Sequence, residues 1–282
     1  MAVAGKGTMI PQRTFFYLML LLFLGMMLFP IYWMFVTSVK PNIEIFRIPP
    51  QMIPASIFTG HYEDVLSSVH FLQYLWNNFF VAATTTVLGL VSATLAGYAF
   101  SRFPSRLTVI ISFGLLSTQM FPVIGIVIAL YALYLGMGLL DTHTGLVFAL
   151  VASVVPFSTW MLKGFFDEMP KSIEESAYVD GASRFTVLWR IAVPLAKPGL
   201  LAAGLYAFML AWDDFLFALT LIRTDALRTL SVGISLRYLG EVSYDWGQVT
   251  TVSVFGTVPM FILFFIFQRY LVEGLTAGAV KG

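Results

Sequence analysis

Glu174-Glu175-Ser176-Ala177-Tyr178-Val179-Asp180-Gly181-Ala182, followed by Ile191-Ala192-Val193-Pro194, is a polar stretch between long apolar segments. Pro170 and Lys171 end the approach to it. Ser172 lies three residues before Glu175, the spacing of a capping box, which predicts a helix from Ile173 to about Asp180. Asp180-Gly181 is a turn signal, because glycine accepts backbone angles closed to other residues. Ser183 predicts the cap of a second short helix through Val187, Leu188 and Ile191, with Pro194 and Pro198 expected to stop it. The reading is helix, glycine bend, helix. Phe185, Leu188, Trp189 and Ile191 give this hairpin more bulky apolar surface than a bare loop carries. Two covers satisfy it: another protein, or the bilayer interface, on which an amphipathic hairpin lies flat.

Composition excludes an ordinary soluble chain. Of the 282 residues, 59% are hydrophobic and only 11% charged, against about 25% charged in soluble domains. The net charge of +1 points to no acidic partner, and no basic stripe suggests nucleic acid. The absence of cysteine excludes a disulfide framework, a thiol nucleophile and a Cys-ligated metal. His61, His70 and His143 are scattered and no H-E-x-x-H occurs, so no metal site is expected.

A bilayer-spanning helix needs about 20 apolar residues. Charge-free runs of that order extend from Thr14 to Val39, Val65 to Ser101, Leu107 to Leu140, Thr142 to Leu162 and Trp246 to Gln268. A sixth, Pro198 to Ile222, is interrupted only by Asp213 and Asp214. The first run is too long for a signal peptide and lacks an Ala-x-Ala site, so it reads as a retained helix. The fold expected is an all-α membrane protein with six transmembrane helices. His70, Gln73, Asn77 and Asn78 are expected at the interface or in a short surface helix. The chain divides into an N-terminus (1–13), a first span (14–39), an outer loop (40–73), a five-helix core (74–271) that contains the polar loop 167–196, and a tail (272–282). An even number of spans puts both termini on one side. That side holds Lys6, Arg13, Arg102, Arg106, Lys163, Lys171, Arg184, Arg190, Lys197, Arg269 and Lys281, eleven of the 16 basic residues. The positive-inside bias makes it cytoplasmic, together with the Glu174-Glu175 loop.

Glu175-x-Ala177, Gly181 four residues on, and Ile191-x-x-Pro194 ten residues beyond the glycine resemble the EAA loop of ABC importer permeases. Ser176 replaces the middle alanine of that motif, and Val193 the usual leucine. The ending Gly274-Leu275-Thr276-Ala277-Gly278-Ala279-Val280-Lys281-Gly282 and the segment Ala211-Trp212-Asp213-Asp214-Phe215-Leu216 are similar to those of the maltose-type, MalG-like carbohydrate permeases, where Trp-Asn-Asp or Trp-Asn-Glu is commoner. The resemblance implies the MetI-like permease fold of type I ABC importers, in a bacterial or archaeal inner membrane. It implies a second, homologous permease, two ATP-binding-cassette subunits and an extracytoplasmic solute-binding protein as partners. Glu174, Glu175, Ala177, Asp180, Gly181, Ile191 and Pro194 form the implied coupling loop. Within it Glu175 approaches a basic residue of the ATPase subunit, and Gly181 permits the bend. The motif spacing thus favours partner docking over a hairpin lying on lipid. The Gly- and Ala-rich tail is expected to be disordered without its partner. Tyr238, Leu239, Gly240 and Glu241 are the expected tip of a loop that meets the binding protein.

No cofactor is expected in the chain itself: no G-x-x-x-x-G-K-[ST] phosphate cradle occurs, so ATP belongs to the partner subunits. Asp213 and Asp214 are the only acidic residues within a run and, with Trp212, are candidates for the translocation path. Near the outer end of their span, they fit a hydrated position better than a proton relay. Gly89, Ala93 and Gly97, and again Gly199, Ala203, Ala207 and Ala211, recur every four residues. Such stripes allow close helix packing, either static or as a sliding seam. Pro122, Pro156 and Pro259 are expected to kink their spans. A stand-alone secondary transporter would favour internal repeats and buried coupling charges. An intramembrane enzyme would need a nucleophile or metal constellation. Neither requires a cytoplasmic docking hairpin.

Overall fold

The computed structural model describes the backbone of residues 9–238 and 245–277, and side chains over 13–238 and 245–268. Among these the regular elements are all helical. The chain forms two compact units, one of Met1–Ser68 with Arg237–Phe255, the other of Val69–Leu236 with Gly256–Gly282.

The first unit contains α1 (Met9–Ser38), α2 (Asn42–Ile45), α3 (Gly60–Ser67) and the beginning of the last helix. The uncharged run starting at Thr14 becomes the long helix α1, whose side chains are mostly exposed. Prolines 41, 49, 50 and 54 keep the following segment irregular, and polar bonds fold it back. The Phe58 amide donates to the Val39 carbonyl at 2.8 Å. The buried Lys40 ammonium donates to the Gln51 carbonyl and lies 4.6 Å from the centre of the Trp33 ring.

The second unit is a helical bundle built on α4 (Val69–Arg102) and α7 (His143–Glu168), with α5 (Arg106–Ser117) and α6 (Val123–Met137) between them. After α7 come α8 (Lys171–Val179), α9 (Arg184–Val187), a π-helical turn (Leu188–Ala192), α10 (Val193–Leu195), α11 (Lys197–Trp212) and α12 (Leu216–Leu221). Next are α13 (Leu230–Gly233) and a second π turn (Ile234–Tyr238), whose last two residues belong to the first unit. The last helix is α14 (Trp246–Ala277), the end of which belongs to the second unit. The small-residue stripes explain why α4, α7 and α11 pack so closely. A side chain at Gly97 would begin 3.1 Å from the backbone of both Thr159 and Lys163, and one at Gly89 would meet Val154 at 3.0 Å. Gly199 sits against the Phe165 ring, and Ala203, Ala207 and Ala211 are buried with it. Both stripes are therefore packing surfaces.

Among the described residues, four helices are long and apolar enough to cross a membrane, and up to six spans result if each of two bent pairs counts as one. The run Leu107–Leu140 is such a pair: α5 and α6 meet at 100°. Pro122, expected to kink a continuous helix, instead stands at the N-terminus of α6, where its missing N–H costs nothing. In the second pair, the helical stretch Arg184–Leu195 meets α11 at 80°. Pro156 and Pro259 do lie inside helices, in α7 and α14.

Three local expectations are corrected. Asn77 and Asn78 belong to no surface helix. They are buried in α4, whose 34 residues reach about 50 Å at ~1.5 Å per residue, past a hydrocarbon layer of ~30 Å. The helical stretch Arg184–Leu195 does end one residue after Pro194, but Pro198 stops no helix, because it occupies the first turn of α11, where proline is well tolerated. Finally, residues 274–277 continue α14 helically, since a single Gly274 costs only ~1 kcal/mol in a helix. Residues 278–282 of the tail lie outside the described residues.

Candidate functional site

The polar hairpin is two short helices with opposite attachments. α8 starts after Pro170 with no side-chain cap, so the Ser172–Glu175 capping box does not form; Ser176 Oγ donates to the Ser172 carbonyl instead. The helix ends in a Schellman motif, with Gly181 N donating to the Tyr178 carbonyl at 3.0 Å and Ala182 N to the Ala177 carbonyl at 2.9 Å. Gly181 has a φ of +83°, which glycine alone adopts at no cost. Ser183 then caps α9 by accepting from the Thr186 amide at 3.2 Å, as expected.

The second limb enters the bundle. Leu188, Ala192 and Ala196 are buried in one cluster with Ala93 and Tyr98 of α4, Leu162 and Phe166 of α7, and Ala203 of α11. Leu188 thus has its cover within the chain, contrary to the expectation that it needs an outside partner. The π turn sits immediately before Pro194. Proline offers no N–H to the Arg190 carbonyl, and in this stretch the Val193 amide donates five residues back, to Leu188. Ile191 is half-buried and Pro194 exposed.

The first limb is held by polar chemistry. Glu174 and Tyr178, four residues apart, share the face of α8 that looks at α4. Glu174 Oε1 accepts from Arg102 Nε at 2.7 Å, and Oε2 accepts from the Tyr98 hydroxyl at 2.8 Å. The Arg102 and Glu174 side chains are only 7% and 5% exposed. Arg102 Nη2 also donates to the Met169 carbonyl at 3.4 Å, at the junction of α7 and α8. The Tyr98 and Tyr178 hydroxyls are 3.4 Å apart, and the Tyr98 ring meets Phe166 edge-on at 5.4 Å. Sequence reasoning placed Glu174 in the coupling loop without separating its face from that of Glu175, and missed Arg102 and Tyr98. Helical geometry was the available signal, since adjacent residues point about 100° apart on an α-helix.

On the other face, Glu175, Ser176 and Asp180 are exposed, with Val179 88% exposed; beyond the bend, Phe185 of α9 is 69% exposed and meets the Trp189 ring edge-on at 6.0 Å. Ala177 is half-buried under the bend. Carboxylate and apolar groups therefore stand together, unpacked by this chain, on a helix fastened from behind.

A second feature is an open groove of about 730 Å³ in the bundle. It lies in the angle between α5 and α6 and is floored by α7 and the end of α11. Its wall is apolar apart from Ser92, Thr118, Gln119, Ser153 and Asp214. Gln119 Nε2 donates to the Ser153 carbonyl at 2.9 Å. Asp214 caps α12 by accepting from Ala218 N at 2.9 Å and Phe217 N at 3.3 Å. Asp213 is exposed, outside the groove lining. Trp212 is buried: it stacks on Phe208 at 5.5 Å and donates from Nε1 to the Gly256 carbonyl at 3.1 Å. Of the three residues expected on the path, only Asp214 faces the groove; Trp212 is taken up by packing because its indole finds a carbonyl partner inside. Tyr238 is buried in the second π turn. Leu239, Gly240 and Glu241 lie outside the described residues. Among the described residues, no group of three or more His, Asp and Glu could hold a metal.

Residues 85–276 match the family of binding-protein-dependent transport system inner membrane components. The chain belongs to that family. It is 36% identical over 255 residues to the sulfoquinovosyl glycerol transport system permease protein SmoH of Agrobacterium fabrum, covering 90% of this chain and 89% of the relative. It is 36% identical over 257 residues to the trehalose/maltose transport system permease protein MalG of Thermococcus litoralis, covering 90% and 92%. The fold resembles a chain in the crystal structure of a bacterial ABC transporter involved in the import of the acidic polysaccharide alginate. There the TM-score is 0.82 at 21% identity, covering 96% of this chain and 99% of that one. The protein is thus a membrane-embedded permease subunit of an ABC importer with the MetI-like fold. Such permeases have no ATPase site of their own, and the sequence holds no phosphate-cradling motif.

Proposed function

We propose that this permease serves a carbohydrate importer and that it docks the α8 hairpin into an ATP-binding-cassette subunit on the cytoplasmic side. The observation that carries the docking is the outward face of α8, where Glu175 and Val179 are exposed on a helix fixed from behind. Carbohydrate is supported by the relatives, whose names give sulfoquinovosyl glycerol and trehalose or maltose as their cargo. The groove lined by Gln119, Ser153 and Asp214 supplies one wall of a path, and a second permease supplies the other. Its sparse hydroxyl, amide and carboxylate groups suit a polyhydroxylated solute, which needs few fixed bonds and must leave again. ATP is bound by the partner ATPase pair, the solute arrives on an extracytoplasmic binding protein, and both ends of the chain are cytoplasmic, as the basic residues favour.

The test is ATP hydrolysis by the complex in liposomes, with and without the binding protein, offered maltose, trehalose and sulfoquinovosyl glycerol in turn. Stimulation by one of the three, lost in Glu175→Lys and in Gly181→Asp while both variants insert normally, is the expected result. Full stimulation in both variants refutes the docking face; stimulation by none of the three removes the support for carbohydrate.

A further inference from the structure

We propose that the Arg102–Glu174 pair is the strut that makes α8 and the adjoining end of α4 move as one body. The inference rests on the docking reading above and names the residues that pass its motion into a span. Only α8 presents the exposed carboxylate of the docking face, yet its own apolar burial is slight. The limb after Gly181 is embedded in the bundle, but the glycine bend between the limbs is a poor transmitter of force. Arg102 bridges that gap from the last turn of α4. Its Nε holds Glu174 at 2.7 Å and its Nη2 reaches the Met169 carbonyl at 3.4 Å, so one guanidinium grips both the helix and the junction that leads into it. Tyr98, one turn back on α4, holds the other carboxylate oxygen at 2.8 Å. A carboxylate bound through both oxygens to one helix cannot swivel, and its burial keeps water from replacing either bond. Arg102 and Glu174 are in this sense positioning residues: they touch neither solute nor nucleotide.

The chain has no cysteine, so Leu95→Cys on α4 and Ile173→Cys on α8 place two unique labels at exposed sites. The doubly labelled chain is assembled with its second permease and ATPase pair, the latter three free of reactive cysteine. The distance between the labels is read by electron spin resonance without nucleotide and after trapping with ATP and vanadate. The expected result is one distance, the same in both states. In Glu174→Gln, and separately in Arg102→Lys, the distance shifts or splits between the states. In both variants the binding-protein-stimulated to basal hydrolysis ratio falls toward one. A merely structural contact would lower both rates together and leave the ratio intact. The proposal is overturned if the unsubstituted pair gives different distances in the two states, a reading that stands even if the variants fail to assemble. It is overturned equally if both variants keep one distance and a normal ratio. If the unsubstituted chain retains no ATPase, the docking reading falls and this one with it; ATPase retained with a changing distance removes only this one.

Discussion

Glu174 and Glu175 are neighbours in sequence and opposites in burial. One is buried and the other exposed because of one step around a helix, and no composition measure separates them. The sequence showed that this loop was special and which glycine would bend it. It did not show which carboxylate turned inward, because the partner, Arg102, lies 72 residues away. Truncating one member of a buried ion pair strands the other charge, a loss of about 3–5 kcal/mol. Arg102→Met should therefore lower the melting temperature of the detergent-solubilised protein far more than Glu175→Gln, which removes only a solvated charge; equal effects would contradict the burial. Gly97 permits a similar comparison. With backbone atoms 3.1 Å from where its side chain would begin, Gly97→Val should cost about 1–3 kcal/mol by overpacking. Gly164→Ala, on a face with no atom within 4 Å, should be neutral or stabilising. Asp141 offers a prediction in pH. Its carboxylate accepts from the Thr224 hydroxyl and from the Thr224 and Arg223 amides, and these bonds hold its pKa below the ordinary 3.8. A lowered pKa contributes stability above the unfolded value and loses it as pH falls through the folded one. Asp141→Asn, which tolerates the local φ of 58°, should melt lower at neutral pH, and the gap to the parent protein should close below pH 3.8.

At the scale of elements, the apolar runs located the helices well because length without charge is what a bilayer demands. The breaks were harder to see. Leu107–Leu140 carries no charge on either side of its 100° bend, and only the short polar cluster Ser117-Thr118-Gln119 interrupts it there, so hydropathy gave only a weak boundary. Pro122 was the visible mark, and it was read as a kink because a proline inside a run and a proline opening a new helix look alike in sequence. The π turn before Pro194 was invisible for a related reason: it answers a missing donor, not a change in composition. Restoring that donor in Pro194→Ala should let Leu188–Leu195 relax toward a regular α-helix. Hydrogen exchange through this stretch should then slow; unchanged exchange would separate the π turn from the proline.

For the whole molecule, the hairpin carries two electrostatic contacts, one to its own bundle and one, in the proposed docking, to a partner subunit, and they respond differently to the medium. Behind α8, the Arg102–Glu174 pair is shut away from ions and is little screened. In front, Glu175 stands in solution, where attraction to a basic partner decays over about 8 Å at physiological ionic strength and about 3 Å at 1 M. Salt therefore acts on this protein from one side only. On the proposed docking through Glu175, it should strip the ATPase from the permease while leaving the hairpin seated on its own helices, and returning to low ionic strength should restore the complex without refolding.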